Sequence, residues 1–133
     1  MRDLLSGMTA DRSPHVLVVD DEIELLQVLA GYLTRIGFRV TAASEPDEAM
    51  RTVHESHVDV LLTDLCLEGA SGMDLIERFW TVQPDAPAVL MSGTMPALGE
   101  VPGLTFVSKP FVLADIAGVL RRTLRGQSEL ADA

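Results

Sequence analysis

Acidic side chains follow two apolar stretches of the sequence, at the point where each stretch ends. Asp20, Asp21 and Glu22 come directly after residues 15–19, HVLVV, and Asp64 closes residues 58–64, VDVLLTD. Two carboxylates about 4 Å apart repel by about 4 kcal/mol at an effective dielectric constant near 20. A hard cation relieves this repulsion, and Mg²⁺ suits it because Mg²⁺ takes few carboxylates, keeps several waters and binds phosphate oxygens.

A hydroxyl and a lysine close two further apolar stretches. Ser92 and Gly93 end residues 86–93, APAVLMSG, and Lys109 ends residues 104–109, LTFVSK. A lysine can neutralise a phosphoryl oxygen as a point charge, and a serine can donate a hydrogen bond to another. The four stretch ends together predict a site for a cation and an anion.

The elements that position these residues alternate along the chain. Continuous β-branched and leucine-rich runs are typical of strands buried on both faces of a parallel sheet, and apolar residues at helical spacing separate them. Strands are predicted at 15–19, 39–43, 58–64, 86–93 and 104–109, and helices at 22–38, 44–55, 72–82 and 114–125. Ser44 is the predicted cap of the second helix. In an open α/β sheet the site lies at the carboxyl ends of the strands, where these side chains are expected to converge.

The length and net charge of the chain limit the classes of function that it can have. The chain has 133 residues, 47% of them hydrophobic, which fits one globular domain. A formal net charge of −10 argues against direct binding to nucleic acid or to an anionic membrane. A single cysteine, Cys66, excludes an internal disulfide and is compatible with the cytoplasm. The domain is predicted at 14–125, between flexible tails at 1–13 and 126–133.

The motifs VVDDE, LLTD, LMSG and FVSKPF, in this order and each at a strand end, resemble the receiver domain of two-component response regulators. The resemblance covers roughly residues 15–124. It implies a flavodoxin-like three-layer α/β sandwich with a five-stranded parallel sheet in the order 2-1-3-4-5. It also implies a signalling switch rather than an enzyme, with Mg²⁺ as cofactor.

The resemblance assigns a role to each matching position. Asp64 corresponds to the aspartate that accepts a phosphoryl group from a histidine kinase or histidine phosphotransfer protein. Ser92 and Phe106 match the switch positions, Lys109 matches the phosphate-pairing lysine, and Gly72 matches a loop glycine. The implied metal ligands are Asp20, Asp21, Asp64 and the backbone carbonyl of Cys66.

The sequence departs from the family pattern in two regions. The usual proline four residues after the acceptor is Glu68, and Cys66 is an uncommon neighbour of an acceptor. The stretch between Ser92 and Lys109 is short, and its middle part carries prolines at 96 and 102 and glycines at 99 and 103. Because that composition opposes a regular helix, helix four is predicted to be missing or reduced to about one turn.

Three other functions are considered. A haloacid-dehalogenase-like phosphatase also uses an aspartate nucleophile, but it needs a second aspartate where this chain has Cys66. A flavin carrier needs a phosphate-binding loop where the chain has Asp20, Asp21 and Glu22. A receiver-shaped interaction module without phosphorylation stays open, as do the downstream partner and a homodimer through helix one or helix five.

Overall fold

A five-stranded parallel sheet forms the centre of the molecule in a computed structural model, which describes residues 13–94 and 99–132, and side chains through Gln127. Its strands, in spatial order, are residues 39–43, 15–19, 60–64, 88–92 and 104–108, which confirms the predicted 2-1-3-4-5 arrangement. The elements are β1 His15–Val19, α1 Ile23–Arg35, β2 Arg39–Ala43, α2 Pro46–Glu55, β3 Val60–Asp64, β4 Cys66–Leu67, β5 Ala70–Ser71, α3 Gly72–Val82, β6 Ala88–Ser92, β7 Leu104–Ser108 and α4 Leu113–Asp132.

The sheet is apolar on both faces because helices cover both. In β1, Val16 and Val18 pack into one cluster with α1 and α4, while Leu17 and Val19 pack into another with α2 and α3. All five residues of β1, β3 and β6 are buried. Burying a Val or Leu side chain contributes about 1.5–3 kcal/mol relative to exposure. These strands therefore form a stable base for the polar residues at their ends.

The connection from β6 to β7 confirms the prediction for helix four. Its described residues, 93–94 and 99–103, contain no helix, and residues 95–98 lie outside the described part of the chain. Gly99 and Gly103 have φ values of +67° and +82°, which are left-handed conformations that interrupt a right-handed helix. Four helices are thus found in the described residues, two on each face of the sheet.

Two local predictions differ from the structure. The segment 126–132, predicted as part of a flexible tail, continues α4 as helix, and the Gln127 side-chain amide donates to the Asp85 carbonyl at 2.7 Å. Helix α2 begins at Pro46 with Glu45 at the cap position, so Ser44 is not its cap. The Glu48 carboxylate reaches back to accept from the Ser44 backbone N–H at 2.8 Å. The predicted tail at 1–13 falls outside the described residues except for Ser13.

Candidate functional site

Polar residues at the ends of four neighbouring strands lie together at one edge of the sheet. Asp20 follows β1, Asp64 ends β3, Ser92 ends β6 and Lys109 follows β7. Asp64 lies beside Met91 in the register between β3 and β6. The Lys109 backbone N–H donates to the Ser92 carbonyl at 2.8 Å, which joins the last two strand ends. The structure therefore brings together residues that are up to 89 positions apart in the sequence.

Three carboxylates form an acidic cluster at this edge. One oxygen each from Asp20, Asp21 and Asp64 lies within 4.8 Å of the others. Asp20 is fully buried and Asp64 is 9% exposed, whereas Asp21 is the more accessible member. Glu22, the fourth acidic residue at these strand ends, is exposed. It directly precedes α1 and has an extended backbone conformation. The cluster brings together the three predicted carboxylate ligands.

Lys109 provides a positive charge beside this cluster. Its Nζ lies 3.3 Å from Asp64 Oδ1 and 4.0 Å from Asp20 Oδ2, and its side chain is largely buried. The peptide bond between Lys109 and Pro110 is cis. A lysine at this position partly neutralises the two buried carboxylates and can approach any anion that binds Asp64.

Asp20 carries a charge that the described residues compensate incompletely. Its Oδ1 accepts a hydrogen bond from the Glu22 backbone N–H at 2.9 Å, but its buried Oδ2 has no hydrogen-bond partner among the described residues. Burial raises the pKa of Asp20, and the charges of Asp64 and Asp21 raise it further, against the lowering effects of the Glu22 amide and Lys109. An orphaned buried carboxylate oxygen facing two other carboxylates is the donor arrangement that a hard divalent cation fits.

Replacement of Asp20 by Asn tests this electrostatic cost. Because the folded-state pKa of Asp20 lies above the ordinary value of an aspartate, the metal-free protein binds this proton more tightly than the unfolded chain does. Stability of the metal-free protein therefore falls as the pH rises from the unfolded-state pKa through the folded-state pKa, and an asparagine, which does not ionise, avoids this loss. We expect Asp20→Asn to raise the melting temperature of the metal-free protein by a few degrees at pH 7.

The same variant should lose this advantage at low pH. Thermal melts at pH 7 and at pH 3 in the presence of a chelator measure the difference. The expectation is contradicted if Asp20→Asn lowers the melting temperature at pH 7 or changes it equally at both values. Exposed Asp47, which pairs with Arg78 at 3.2 Å, gives a control substitution, Asp47→Asn.

Ser92 and Phe106 occupy the two predicted switch positions. Ser92 is 7% exposed, and its hydroxyl donates to the Thr94 carbonyl and accepts from the Thr94 backbone N–H at 3.1 Å. The hydroxyl is thus engaged with its own loop. Phe106 lies in β7 beside Leu90 of β6 and packs, half-buried, against the core on the α2 and α3 face.

Gly72, which matches the loop glycine of the family, is the first residue of α3, as the predicted helix at 72–82 has it, and it lies against the end of β3. Its backbone N–H donates to the Leu65 carbonyl at 2.7 Å. A Cβ at this position would lie 2.1 Å from the Asp64 backbone oxygen. Only glycine allows the helix to begin so close to the end of β3.

A short hairpin between β3 and α3 adds a contact that the sequence did not predict. Strands β4 and β5 pair as Cys66 with Ser71 and Leu67 with Ala70, and Cys66 is exposed. At the turn between them, the Glu68 backbone N–H donates to Asp21 Oδ2 at 2.6 Å. Because the donor is a backbone group, no side-chain type in the sequence signals this contact.

The parallel sheet thus carries an acidic cluster and a lysine side by side at its carboxyl edge. The family model described as response regulator receiver domain matches residues 16–121. The chain belongs to this family. Membership confirms the resemblance drawn from the four motifs and excludes the phosphatase and flavin-carrier alternatives.

Individual relatives agree with the family. The transcriptional regulatory protein PrrA of Mycobacterium tuberculosis is 30% identical over 128 residues, covering 92% of this chain and 55% of its own. The regulatory protein VirG of Agrobacterium fabrum is 30% identical over 124 residues, covering 88% of this chain and 48% of its own. The chain thus spans about half the length of the curated relatives it matches.

Solved structures match over nearly their whole length. A CheY-like receiver domain protein from Methanospirillum hungatei has a TM-score of 0.81 at 20% identity, covering 88% of this chain and 98% of its own. The receiver domain of the hybrid histidine kinase CckA has a TM-score of 0.74 at 27% identity, covering 83% and 98%. Within the described residues, none of the helices has the length and apolar character needed to cross a bilayer.

Proposed function

We propose that this receiver domain is a phosphorylation-dependent switch in which Asp64 accepts a phosphoryl group from a histidine kinase or a histidine phosphotransfer protein. The observation that carries the proposal is the pairing of Asp64 Oδ1 with Lys109 Nζ at 3.3 Å, next to two further carboxylates. A lone strand-end aspartate needs no lysine and no acidic neighbours. An acceptor needs both, because phosphoryl transfer depends chiefly on positioning and on neutralising charge.

The metal part of the proposal concerns four groups. Asp20, Asp21, Asp64 and the backbone carbonyl of Cys66 would hold Mg²⁺, and the orphaned Asp20 Oδ2 supports a cation here. When bound, Mg²⁺ would offset the carboxylate charges and bring the phosphoryl oxygens toward Asp64. The metal ligands are all oxygen atoms, as Mg²⁺ prefers.

The reaction itself uses the protein's own nucleophile. A carboxylate oxygen of Asp64 attacks phosphorus, the P–N bond to the donor histidine breaks, and the histidine nitrogen leaves with the bonding electrons. Lys109 offsets the charge on the phosphoryl oxygens. The product is an acyl phosphate on Asp64, so the domain catalyses only its own phosphorylation and its slow loss.

The switch would pass through Ser92. In the structure its hydroxyl is engaged with Thr94, and a phosphoryl group on Asp64 would compete for that hydroxyl as a charged acceptor. Departure from Thr94 would pull on the β6–β7 connection, and Phe106, half-buried in the adjacent strand, could shift with it. Phosphorylation then acts as a population shift between two arrangements of this edge.

The output of this switch is proposed to be a protein contact. The net charge of −10 disfavours nucleic acid as a direct partner, and an unidentified downstream protein or a homodimer would recognise the changed surface. The phosphoryl group comes through a kinase from ATP, and we therefore propose a cytoplasmic location.

Incubation with acetyl phosphate tests the proposal directly. We expect intact-mass spectrometry to show a gain of one phosphoryl group per chain when Mg²⁺ is present and essentially none when it is chelated. Addition of the chelator after labelling controls for loss of the adduct during handling. If the purified kinases of the same genome and acetyl phosphate all fail to label the protein, the alternative of a phosphorylation-independent interaction module is favoured instead.

A further inference from the structure

The contact between the β4–β5 hairpin and the end of β1 is a candidate for tuning the metal site. The Glu68 backbone N–H donates to Asp21 Oδ2 at 2.6 Å, which links positions 47 residues apart. Because the acceptor is a carboxylate, the bond belongs to the charge-assisted class, which is stronger than bonds between neutral groups. It ties one predicted metal ligand, Asp21, to the hairpin that carries another, the backbone carbonyl of Cys66.

Asp21 has the greatest need for such a restraint among the three carboxylates. Asp20 is fully buried and bonded to the Glu22 amide, and Asp64 faces Lys109 at 3.3 Å. Asp21 is the most accessible of the cluster and lies within 4.8 Å of two other carboxylate oxygens. Repulsion from these two carboxylates would drive a free side chain toward solvent.

The hairpin turn presents the Glu68 amide toward Asp21. Glu68 and Gly69 are the two turn residues between the paired Leu67 and Ala70, and Gly69 has a φ of +70°. Positive φ at the second turn residue, but not at the first, is the pattern of a type II turn. In this type the first position, that of Glu68, also accepts proline.

We propose that the Glu68 backbone amide is a positioning group that holds Asp21 in place for Mg²⁺ and thereby sets the affinity of the site. This inference rests on the proposed function, because it requires that the acidic cluster binds the metal. The amide occupies part of Oδ2 and fixes the direction of the side chain, so Asp21 is already oriented when the cation arrives. Loss of such a partner of a metal ligand weakens metal affinity by about tenfold or more.

A pair of substitutions isolates the N–H group from the side chain. Glu68→Pro and Glu68→Ala both remove the carboxylate of Glu68, but only proline also removes the backbone donor. The turn tolerates proline at this position, and the preceding Leu67 is in a strand, as a residue before proline prefers. Circular dichroism and thermal melting check that both variants fold.

Titration of Mg²⁺ by isothermal calorimetry gives the first readout. We expect Glu68→Pro to bind Mg²⁺ about tenfold more weakly than Glu68→Ala, and Glu68→Ala to stay within about twofold of the wild type. Equal affinities for the two variants would overturn the inference. Absence of Mg²⁺ binding by the wild type would overturn the proposed function instead, and these two failures are distinguishable.

Hydrogen exchange gives a second readout that needs no metal. In the metal-free wild type, the Glu68 amide should exchange more slowly than an unstructured amide, and Asp21→Ala should remove this protection while leaving amides in β3 protected. Exchange of the Glu68 amide at the unprotected rate in the wild type would overturn the inference, even if the proline variant failed to fold.

Discussion

Replacing Asp64 by Asn is expected to abolish phosphorylation of the protein, even with saturating acetyl phosphate and Mg²⁺. The amide that replaces the carboxylate is neutral and a poor nucleophile, although it has nearly the same shape, so the surrounding β3 and β6 strands should be unaffected. Intact-mass spectrometry of the variant should show no phosphoryl adduct under conditions that label the wild type. The expected loss is complete, because no other group can take over the attack at this position.

Two further observations make the Asp64→Asn experiment decisive. Circular dichroism and thermal melting of Asp64→Asn should show a folded protein, which establishes that lost labelling is not caused by unfolding. The surface variant Asp47→Asn, which alters an exposed carboxylate on α2, should label like the wild type. A stable adduct on Asp64→Asn would mean that another residue is the acceptor.

Replacing Gly72 by Ala is expected to destabilise the protein by about 3 kcal/mol, at the upper end of the usual cost of overpacking. The added Cβ would lie 2.1 Å from the Asp64 backbone oxygen and 3.0 Å from the Leu65 Cα. Both are main-chain atoms, which cannot rotate away as a side chain can. The gain from replacing a helical glycine by alanine is at most about 1 kcal/mol, so the clash dominates.

Urea unfolding of Gly72→Ala and of Gly31→Ala measures this difference. Gly31 lies within α1, and a Cβ there would meet nothing within 4 Å. We therefore expect Gly31→Ala to stabilise the protein by about 0.5–1 kcal/mol, the opposite sign. Because relief of the Gly72 clash must move the end of β3, the same variant should also label poorly with acetyl phosphate. A neutral effect of Gly72→Ala would contradict the close packing of α3 on β3.

The sheet and the acidic cluster were predictable because their signals are local and strong. Strands buried on both faces are continuous apolar runs, and their carboxyl ends fall on one edge for any right-handed α/β topology. Asp20, Asp64 and Lys109 could therefore be assigned to a common site from their position after such runs. The absence of a helix from the described part of the β6–β7 connection was likewise signalled by proline and glycine at 96, 99, 102 and 103.

Two kinds of feature were not predictable: contacts made by backbone groups, and contacts made by side chains that have more than one possible hydrogen-bond partner. The Glu68 amide has no signature, since every residue except proline carries the same donor. Ser44 has a side chain that often caps helices, but here it does not cap α2. Its backbone N–H instead donates a hydrogen bond to the Glu48 carboxylate. Helix α4 passes through Gly126, a residue that usually favours a stop, and the contact from Gln127 to the Asp85 carbonyl is made only once the fold has brought them together.

The exposed Cys66 has a practical consequence. It is the single cysteine of the chain, two residues after Asp64 and on the hairpin that contacts Asp21. A maleimide dye would therefore attach at one defined position of the native sequence, without any engineered thiol. Emission from that dye would report the state of the acidic edge in real time, and stopped-flow mixing could follow metal arrival and phosphoryl turnover in a protein otherwise left unchanged.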